Sequence, residues 1–412
     1  MTCRIETQGS RLFVVGAFSL SDLRRLIAGL HSLTAKLAYQ DIQLDFTRCT
    51  AAYPGPMVGL CSQIVALRQT GVDVELALPT DPRIARYFTG ANWAFYIDPS
   101  HFKRSTYRGF THVPLIQFSD QEGLGTAINR IVDALLSSVP GIDRADLTAI
   151  EWSTNEIADN VLVHSESPVG GFTQVNLFSA RKTAEFCVAD AGIGIPNTLR
   201  QRFPDHEDIE LLEEAIKEGV TRDPTLGQGN GLFGTFQVAR ASEGYLHILS
   251  GHATLSYEKN QLRITREKIP YSGTLVIAGM DASNPAALGD ALRFGDVPYT
   301  PTGYIELHYQ DNAGEELVFR MREETISCGS RVAGTPVRTK LANLVQMNPG
   351  RRLVVDMDQI PLVSSSFADE VFGKLFVKLG PVGFIGALEL RGVTPTVQAL
   401  IDRAILQRSQ TG

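Results

Sequence analysis

Three short motifs in the middle of the chain combine residue types that suit nucleotide chemistry. The first sets a carboxylate and an amide four residues apart, at Glu156 and Asn160, so that both lie on one face of a predicted helix. A carboxylate placed there can orient an attacking oxygen, and an amide oxygen can ligate a divalent cation. Taken alone, the pair is more typical of a solvated helix surface, so the neighbouring motifs decide its meaning.

The second motif is an acidic residue followed by spaced glycines, Asp190-x-Gly192-x-Gly194. An acid at the end of a strand can accept a hydrogen bond from an exocyclic amine. Glycine lets the backbone approach a flat ring closely, because it lacks a Cβ atom and adopts positive φ angles. The alternative is an ordinary turn, in which aspartate and glycine are both common.

The third motif is a run of alternating glycines, Gly227-x-Gly229-x-Gly231, followed by Leu232 and a predicted helix. Glycines at a helix start expose backbone N–H groups and the positive end of the helix dipole to phosphate. Residues 229–234 also match the dinucleotide pattern GxGxxG, which requires a preceding strand and an acidic residue about twenty positions later. Neither requirement is met, so we reject the dinucleotide interpretation.

Helices and strands around these motifs would bring them together. Apolar spacing at helical intervals predicts that one long helix carries Glu156 and Asn160, and alternating patterns predict paired strands that lead to Asp190. The polar segment before the third motif has little strand character and is interpreted as a mobile lid. The predicted elements are a helix over about 143–165, strands over 172–178, 184–189 and 273–278, a lid over 196–226 and a helix over 232–241.

The segments on either side of these motifs alternate strands and helices, which indicates an α/β fold class. A strand, a loop, a helix and a further strand follow Asp45 and recur at almost equal spacing after Asp356. In the last segment we expect strands over 304–309, 317–321, 353–357 and 384–390. Three domains are therefore predicted, over residues 1–118, 119–285 and 286–412.

Composition restricts the classes of function. The chain has 412 residues and a net charge of −7, which argues against a general nucleic-acid binder. Its five cysteines contain no CxxC pair, so neither a zinc site nor a disulfide framework is indicated. The basic and aromatic residues over 101–108 are interpreted as a solvated surface rather than a nucleic-acid contact. Since no signal-peptide pattern or long apolar run is present, the sequence predicts a cytoplasmic protein.

The three motifs, in this order, resemble the GHKL ATP-binding fold shared by gyrase, heat-shock chaperones, histidine kinases and anti-sigma factor kinases. The resemblance covers residues 119–285 and implies a central α/β sandwich, a mixed sheet with helices on one face, that binds ATP and Mg²⁺. By the same resemblance Glu156 is the catalytic carboxylate and Asn160 is the magnesium ligand. The implied adenine contacts are Asp190, Gly192, Gly194 and Thr274, and the implied phosphate contacts are Gly227, Gly229, Gly231 and Leu232.

Both flanking segments resemble STAS domains, the fold of bacterial anti-anti-sigma factors, in which the loop after the central strand carries a phosphorylated serine. In the first segment that position falls on Pro54, which has no hydroxyl group. In the last segment, where the stretch 366–375 carries the resemblance, it falls on Ser365, with Ser364 and Ser366 beside it. The alternative role of these serines is helix capping. Against phosphorylation, the two acidic residues just downstream would repel a phosphate.

These resemblances imply an ATP-binding regulatory protein of the partner-switching type, in which Mg-ATP controls the interactions of the STAS-like domains. Serine phosphorylation is one means of that control, so the chain would be an ATPase or a protein-serine kinase. The alternative is a non-kinase GHKL ATPase that switches conformation by ATP-driven dimer closure, in a stress or phage-defence system. A scaffold with a degenerate ATP site is a third hypothesis. We expect a homodimer with protein partners, and neither a membrane nor nucleic acid as a partner.

Overall fold

The structure is a computed structural model of the chain. It describes residues 3–105, 112–142, 144–178, 183–217, 219–220, 231–281, 293–294, 297–298, 304–311 and 316–410. The chain divides into two compact units. Unit 1 comprises Met1–Ile131 and Ala149–Tyr299, and unit 2 comprises Val132–Thr148 and Thr300–Gly412. Both units contain β-sheets and α-helices, which confirms the predicted α/β class.

The first part of unit 1, here called the N-terminal lobe (residues 3–105), is built on a mostly parallel sheet. Its strands are β1 (Arg4–Gln8), β2 (Arg11–Phe18), β3 (Asp41–Asp45), β4 (Cys49–Ala52) and β5 (Asp73–Ala77). Its helices are α1 (Leu20–His31), α2 (Pro54–Arg68), α3 (Pro82–Gly90) and α4 (Trp93–Ile97), and Ser32–Lys36 continues α1 as a π-helical turn. The strand order is β1-β2-β3-β5, with β4 beside β2 and only β1 antiparallel to its neighbour.

Capping residues account for where the helices of this lobe begin. Ser19 and Asp22 form a capping box at the start of α1. The Asp81 carboxylate accepts the backbone N–H of Arg83, and Pro82 supplies the first residue of α3. Pro54 likewise occupies the first position of α2, where its missing N–H is no loss.

The second part of unit 1, here called the middle lobe, contains an antiparallel sheet of order β6-β7-β8-β10-β9. Its strands are β6 (His112–Phe118), β7 (Gly171–Phe178), β8 (Thr183–Asp190), β9 (Tyr245–Glu258) and β10 (Gln261–Asp281), followed by the short pair β11 (Arg293–Phe294) and β12 (Val297–Pro298). The helices are α5 (Gln121–Ser138), α6 (Arg144–His164), α7 (Gly194–Leu199), α8 (Asp208–Glu214) and α9 (Gly231–Ala241). The boundary between units 1 and 2 falls within α5 and α6.

Helix α2 lies between the sheets of the two lobes. It contacts β5 on one side and β7, β8 and β10 on the other. Its residues 55–64 are all buried, and apolar residues predominate on all of its faces, as expected of a helix buried on all sides. One hydrophobic core runs through both lobes, from Phe46 and Trp93 to Phe172 and Leu275. The two lobes therefore share their interior. The predicted domain boundary at residue 118 lies at the end of β6, which pairs with β7, and the three-domain division stays a prediction.

Unit 2 contains a parallel sheet of order β13-β14-β15, made of β13 (Leu317–Arg320), β14 (Leu353–Asp356) and β15 (Leu388–Arg391). Its helices are α10 (Tyr304–Tyr309), α11 (Met321–Glu324), α12 (Arg331–Met347), α13 (Ser365–Ala368), α14 (Lys374–Ala387) and α15 (Pro395–Ser409), with a π-helical turn over Asp369–Gly373. Helix α14 is kinked at Gly380, which has a φ of +72° and precedes Pro381.

Two expectations about local structure were wrong. Residues Tyr304–Tyr309 form helix α10 instead of a strand, and the buried side chains Ile305 and Tyr309 are four residues apart, which is helical spacing. The strand expected over 384–390 is helical as far as Ala387, and the strand is Leu388–Arg391. Within the described part of 196–226, the segment interpreted as a lid contains helices α7 and α8, and its mobility stays a prediction. A search of the described residues found no helix with the length and apolar character needed to cross a membrane.

Candidate functional site

Helix α6 and the start of α9 meet at the first and third motifs. Glu156 and Asn160 lie on one face of α6, and both are partly exposed. Gly231, the first residue of α9, lies against both side chains. A Cβ atom at this position would be 3.0 Å from Glu156 Oε2 and 3.3 Å from Asn160 Nδ2. The structure thus places a helix N-terminus beside a carboxylate and an amide.

The remainder of the third motif is described only in part. Gly227 and Gly229 lie outside the described residues. Leu232 is partly buried and packs against an apolar cluster that contains Leu199 of α7 and Leu211 of α8. Its side chain therefore anchors the first turn of α9 on the neighbouring helices.

Glu156 has an altered affinity for protons. Burial raises the pKa of its carboxyl group above the ordinary value, and the carboxylate of Asp159 raises it further. A carboxylate with a raised pKa accepts a proton more readily near neutral pH, which is what a general base requires.

Asp190 ends β8 and is only 2% exposed. Its Oδ1 accepts the backbone N–H of Gly192 at 2.8 Å, and the carboxylate also accepts the backbone N–H of Thr274. Burial raises the pKa of Asp190 to about 7, and the two backbone hydrogen bonds limit the rise because N–H donors favour the charged form. The side chain is therefore a buried acceptor whose protonation changes near neutral pH.

Glycines occupy the positions around Asp190 where a side chain would collide with backbone. A Cβ atom on Gly273 would lie 2.4 Å from the carbonyl oxygen of Asp190, and Gly273 has a φ of +78°. A Cβ atom on Gly192 would lie 1.9 Å from the carbonyl oxygen of Ser165. Gly194 has a φ of +79°, which a residue with a side chain rarely adopts. The loop after β8 is therefore packed directly against the strand that carries Thr274.

Two serines that no motif singles out hold this loop in place. The carbonyl of Ser165, directly after α6, accepts the N–H of Ile193 at 2.8 Å. The hydroxyl of Ser250, in β9, donates to the carbonyl of Gly273 at 2.8 Å and accepts the N–H of Ile195 at 2.9 Å. Ser250 is 55 residues from Ile195, so no local sequence signal could identify it.

Helix α6 connects the two parts of the site. Its C-terminal end meets the Asp190 loop through Ser165, and Glu156 lies about two and a half turns earlier, roughly 13 Å along the helix axis. A carboxylate and an amide thus lie at one end of the helix face and a buried acceptor lies at the other. An elongated ligand with an amine at one end and an anionic group at the other matches this chemistry.

A cleft of about 380 Å³ opens beside the same loop. It is lined by Gly192, Ile193, Asn197, Arg200, Asp208, Gly251, His252, Pro270, Tyr271 and Ser272. Asp190, Glu156 and Asn160 do not line it. Its charged groups already bind each other, since Arg200 donates to the Asp208 carboxylate and Asp208 also accepts the backbone N–H of His252.

The serines of the last segment lie in unit 2, at the start of α13. Ser364 is the N-cap residue: its hydroxyl accepts the N–H of Phe367 at 3.0 Å and lies 3.0 Å from the hydroxyl of Ser366. Ser365 is exposed. The expectation that one of these serines caps the helix is confirmed, and Ser365 is left with its hydroxyl facing solvent.

The acidic residues downstream of these serines are paired with cations. Asp369 binds Arg331 at 2.8 Å and Arg408 at 2.6 Å, and these partners lower its pKa to about 2. Glu370 accepts from Arg331, Arg338 and Lys374. Burial alone would raise the pKa of Glu370, but Lys374 and Arg338 outweigh it and lower the pKa below its ordinary value. The negative charge expected to repel a phosphate is therefore largely offset.

Comparison with known proteins identifies one part of the chain. The family model of the STAS-like domain of unknown function DUF4325 matches residues 333–398. This match confirms the predicted STAS-like domain at the C-terminal end and includes Ser364, Ser365 and Ser366. No curated protein matches the chain.

Proposed function

We propose that residues 119–285 form an ATP-binding module of the GHKL class, and that Mg-ATP bound there controls how STAS-like domains engage protein partners. One observation carries the proposal: motifs that are distant in sequence converge in space. Gly231 lies against Glu156 and Asn160, and Gly273 lies against Asp190, with contacts so close that a Cβ atom would collide at Gly273. A ligand of nucleotide size and polarity accounts for this combination of glycines, a buried acid and an amide.

The adenine end would be formed by Asp190 and its neighbours. Asp190 accepts two backbone N–H groups and, when ionised, retains further lone pairs for an exocyclic amine. Gly192 and Gly194 allow the backbone to approach a flat ring. Thr274 follows Gly273, and its backbone N–H already donates to the carboxylate of Asp190.

The phosphate end would be formed by the start of α9 and one face of α6. The N-terminus of α9 presents backbone N–H groups and a positive dipole end, which favour anions. The amide oxygen of Asn160 would ligate Mg²⁺, which supplies neutralisation of phosphate charge when bound. Magnesium commonly uses one or two protein ligands and completes its shell with phosphate oxygens and water.

Glu156 would accept a proton from the attacking oxygen, and the identity of that oxygen separates two functions. In the partner-switching form it belongs to a serine, and Ser365 is the proposed acceptor because its side chain is exposed while Ser364 caps a helix. In the alternative form it belongs to water, and hydrolysis drives a conformational switch, with closure of a homodimer.

Calorimetric titration with Mg-ATP tests the binding site. We expect saturable binding by the wild type, and Asp190→Asn should weaken it by about 1–3 kcal/mol because a buried partner is left mismatched. Asp205→Asn, an exposed acid on the same lobe, serves as the matched control and should bind as the wild type does. Equal affinities for Asp190→Asn and the wild type would mean that the adenine assignment is wrong.

Incubation with Mg-ATP separates the kinase from the ATPase. Phosphate on Ser365, detected by mass spectrometry and lost in Glu156→Ala, supports the partner-switching form. Steady release of inorganic phosphate without protein phosphorylation supports the alternative. Glu122→Ala removes an exposed glutamate of α5 and controls for the loss of a carboxylate.

A further inference from the structure

The pairing of β10 with β9 is interrupted immediately before Thr274. The register shifts once between Arg266 and Tyr271 and again between Tyr271 and Thr274. Such irregularities release backbone groups from the ladder, and those groups need other partners when they are buried. The interruption precedes the backbone that contacts Asp190, so its shape sets where Gly273 and Thr274 lie.

Side chains of the N-terminal lobe bind the carbonyl groups of this interruption. Arg24 of α1 donates to the carbonyl of Ile269 at 2.8 Å and, on the facing strand β9, to those of Gly251 at 2.8 Å and Ala253 at 2.7 Å. Arg24 is only 6% exposed, so these carbonyls bind the two terminal nitrogens of a guanidinium group that water hardly reaches.

Gln63 of α2 reaches the Asp190 loop itself. Its Nε2 donates to the carbonyl of Ser272 at 2.8 Å and lies 3.4 Å from the carbonyl of Asp190. The amide group of one buried side chain therefore bridges the two strands that form the predicted adenine pocket.

Two glycines on the same face of α2 allow this contact. Gly55, Gly59 and Gln63 follow at intervals of four residues, so they form one stripe along the helix. A Cβ atom would lie 2.3 Å from Ile277 Cδ1 at Gly55 and 3.0 Å from Leu275 Cδ2 at Gly59. The helix therefore approaches β10 closely enough for the side-chain amide of Gln63 to reach the backbone of β10.

We propose that the N-terminal lobe is a positioning device for the nucleotide site, in which Gln63 sets the spacing between Asp190 and Thr274 and thereby the preference for adenine. This inference rests on the proposed ATP-binding function. Gln63 does not touch the base and acts through the two backbone segments it bridges. Docking of the lobe and binding of the nucleotide are consequently coupled, since each stabilises the same arrangement of β8 and β10.

Affinities for Mg-ATP and Mg-GTP, measured on full-length Gln63→Met, test the proposal. Methionine fills similar space without an amide donor. ATP affinity should fall about tenfold, the effect of one lost buried hydrogen bond, while GTP affinity should change less, so that the ATP-to-GTP preference shrinks. Gln8→Met, at an exposed position of β1 in the same lobe, should leave both affinities unchanged. Equal losses for both nucleotides would overturn the positioning role.

Amide hydrogen exchange without nucleotide provides a second measurement that does not require ATP binding. Gln63→Met should accelerate exchange over residues 190–194 and 271–276 and leave β1 to β5 protected. If the wild type binds neither nucleotide, the proposed function is wrong, and hydrogen exchange alone then tests whether Gln63 positions the two backbone segments. Unchanged exchange over both segments would then overturn the positioning role. Gln63→Ala serves as the second variant if the methionine variant does not fold.

Discussion

The two strand–loop–helix segments that look alike in sequence are used in opposite ways. Helix α2, after Asp45, has no charged residue before Arg68 and is covered by a sheet on each side. The helical segment 365–387, after Asp356, buries a charged network at one end and exposes Val377, Val382 and Ile385 at the other. Helix α2 is buried inside unit 1, whereas the segment 365–387 exposes Ser365 and an apolar surface to solvent.

This difference explains the residues at the two loop positions. Pro54 has no hydroxyl group and begins a helix in which every residue from 55 to 64 is buried. Ser365 is the exposed first residue of α13, whereas Phe367 and Ala368 at the end of the same short helix are buried. Four measurements test this contrast between the buried helix α2 and the partly exposed segment 365–387.

The largest effect should follow loss of the buried cation in unit 2. Lys340 is almost fully buried and binds the carboxylates of Glu324 and Asp133. Lys340→Met should destabilise unit 2 by about 3–5 kcal/mol, because the buried carboxylate of Glu324 loses its cation and keeps the neutral hydroxyl of Tyr309. Hydrogen exchange in α12 measures the change, and Lys378→Met, at an exposed position, is the matched control. Equal protection of α12 in both variants would show that the ion pair contributes no stability.

The next effect tests the enclosure of α2. Gly55→Val should destabilise unit 1 by about 1–3 kcal/mol, since the side chain would overlap Ile277 in a packed core. Both tryptophans of the chain, Trp93 and Trp152, lie in unit 1, so their fluorescence during denaturant unfolding reports on this unit. Gly125→Val, also in unit 1 and with nothing within 4 Å of the added Cβ atom, should change stability by less than about 0.5 kcal/mol. If Gly55→Val were as stable as the wild type, the space between α2 and Ile277 would have to be able to widen.

Two carboxylates should give the units opposite responses to acid. The folded-state pKa of Asp190 is raised, so its contribution to the stability of unit 1 grows as pH falls from about 7 towards 4, by at most about 1.4 kcal/mol per pH unit. The folded-state pKa of Asp369 is lowered to about 2, so its contribution to the stability of unit 2 is lost as pH falls from about 4 towards 2. Unfolding followed by tryptophan fluorescence at several pH values measures the stability of unit 1, and the difference between the wild type and Asp190→Asn isolates the contribution of Asp190. An identical pH dependence in the two proteins would show that Asp190 does not cause the response.

The smallest effect concerns the exposed surface. Val382 is 87% exposed, and Val382→Ser should change the stability of unit 2 by less than about 0.5 kcal/mol. A thermal unfolding curve that shifts by several degrees would show that this surface is covered by another part of the protein or by a second copy.

The elements that carry the motifs were predictable because their signals are local. Apolar spacing over about 143–165 predicted α6, and alternating patterns predicted β7 and β8. Helix α8 was missed because its N-cap is Glu207, with Glu210 completing the capping box, and glutamate is not among the residues that usually mark a helix start. Helix α10 was missed because a short apolar run fits a strand and a helix equally well.

The supports of the candidate site were not predictable, because they come from distant parts of the chain. Gln63 and Ser272 are 209 residues apart, and Arg24 and Ile269 are 245 apart. Spacing and propensity describe neighbours along the chain, whereas these contacts depend on how two sheets enclose α2. Helix α2 has no charged residue before Arg68, which is compatible with burial on both sides, but its sequence does not name the second sheet.

The enclosure of α2 also has a consequence for synthesis on the ribosome. The helix is complete at Arg68, yet strand β10, which covers it, ends only at Asp281. At roughly 5–20 residues per second, translation leaves an apolar helix without its cover for roughly 10–40 s. The nascent chain therefore carries an exposed hydrophobic surface through much of its synthesis. Expression of a fragment that stops before β10 should yield insoluble material or a product bound by chaperones.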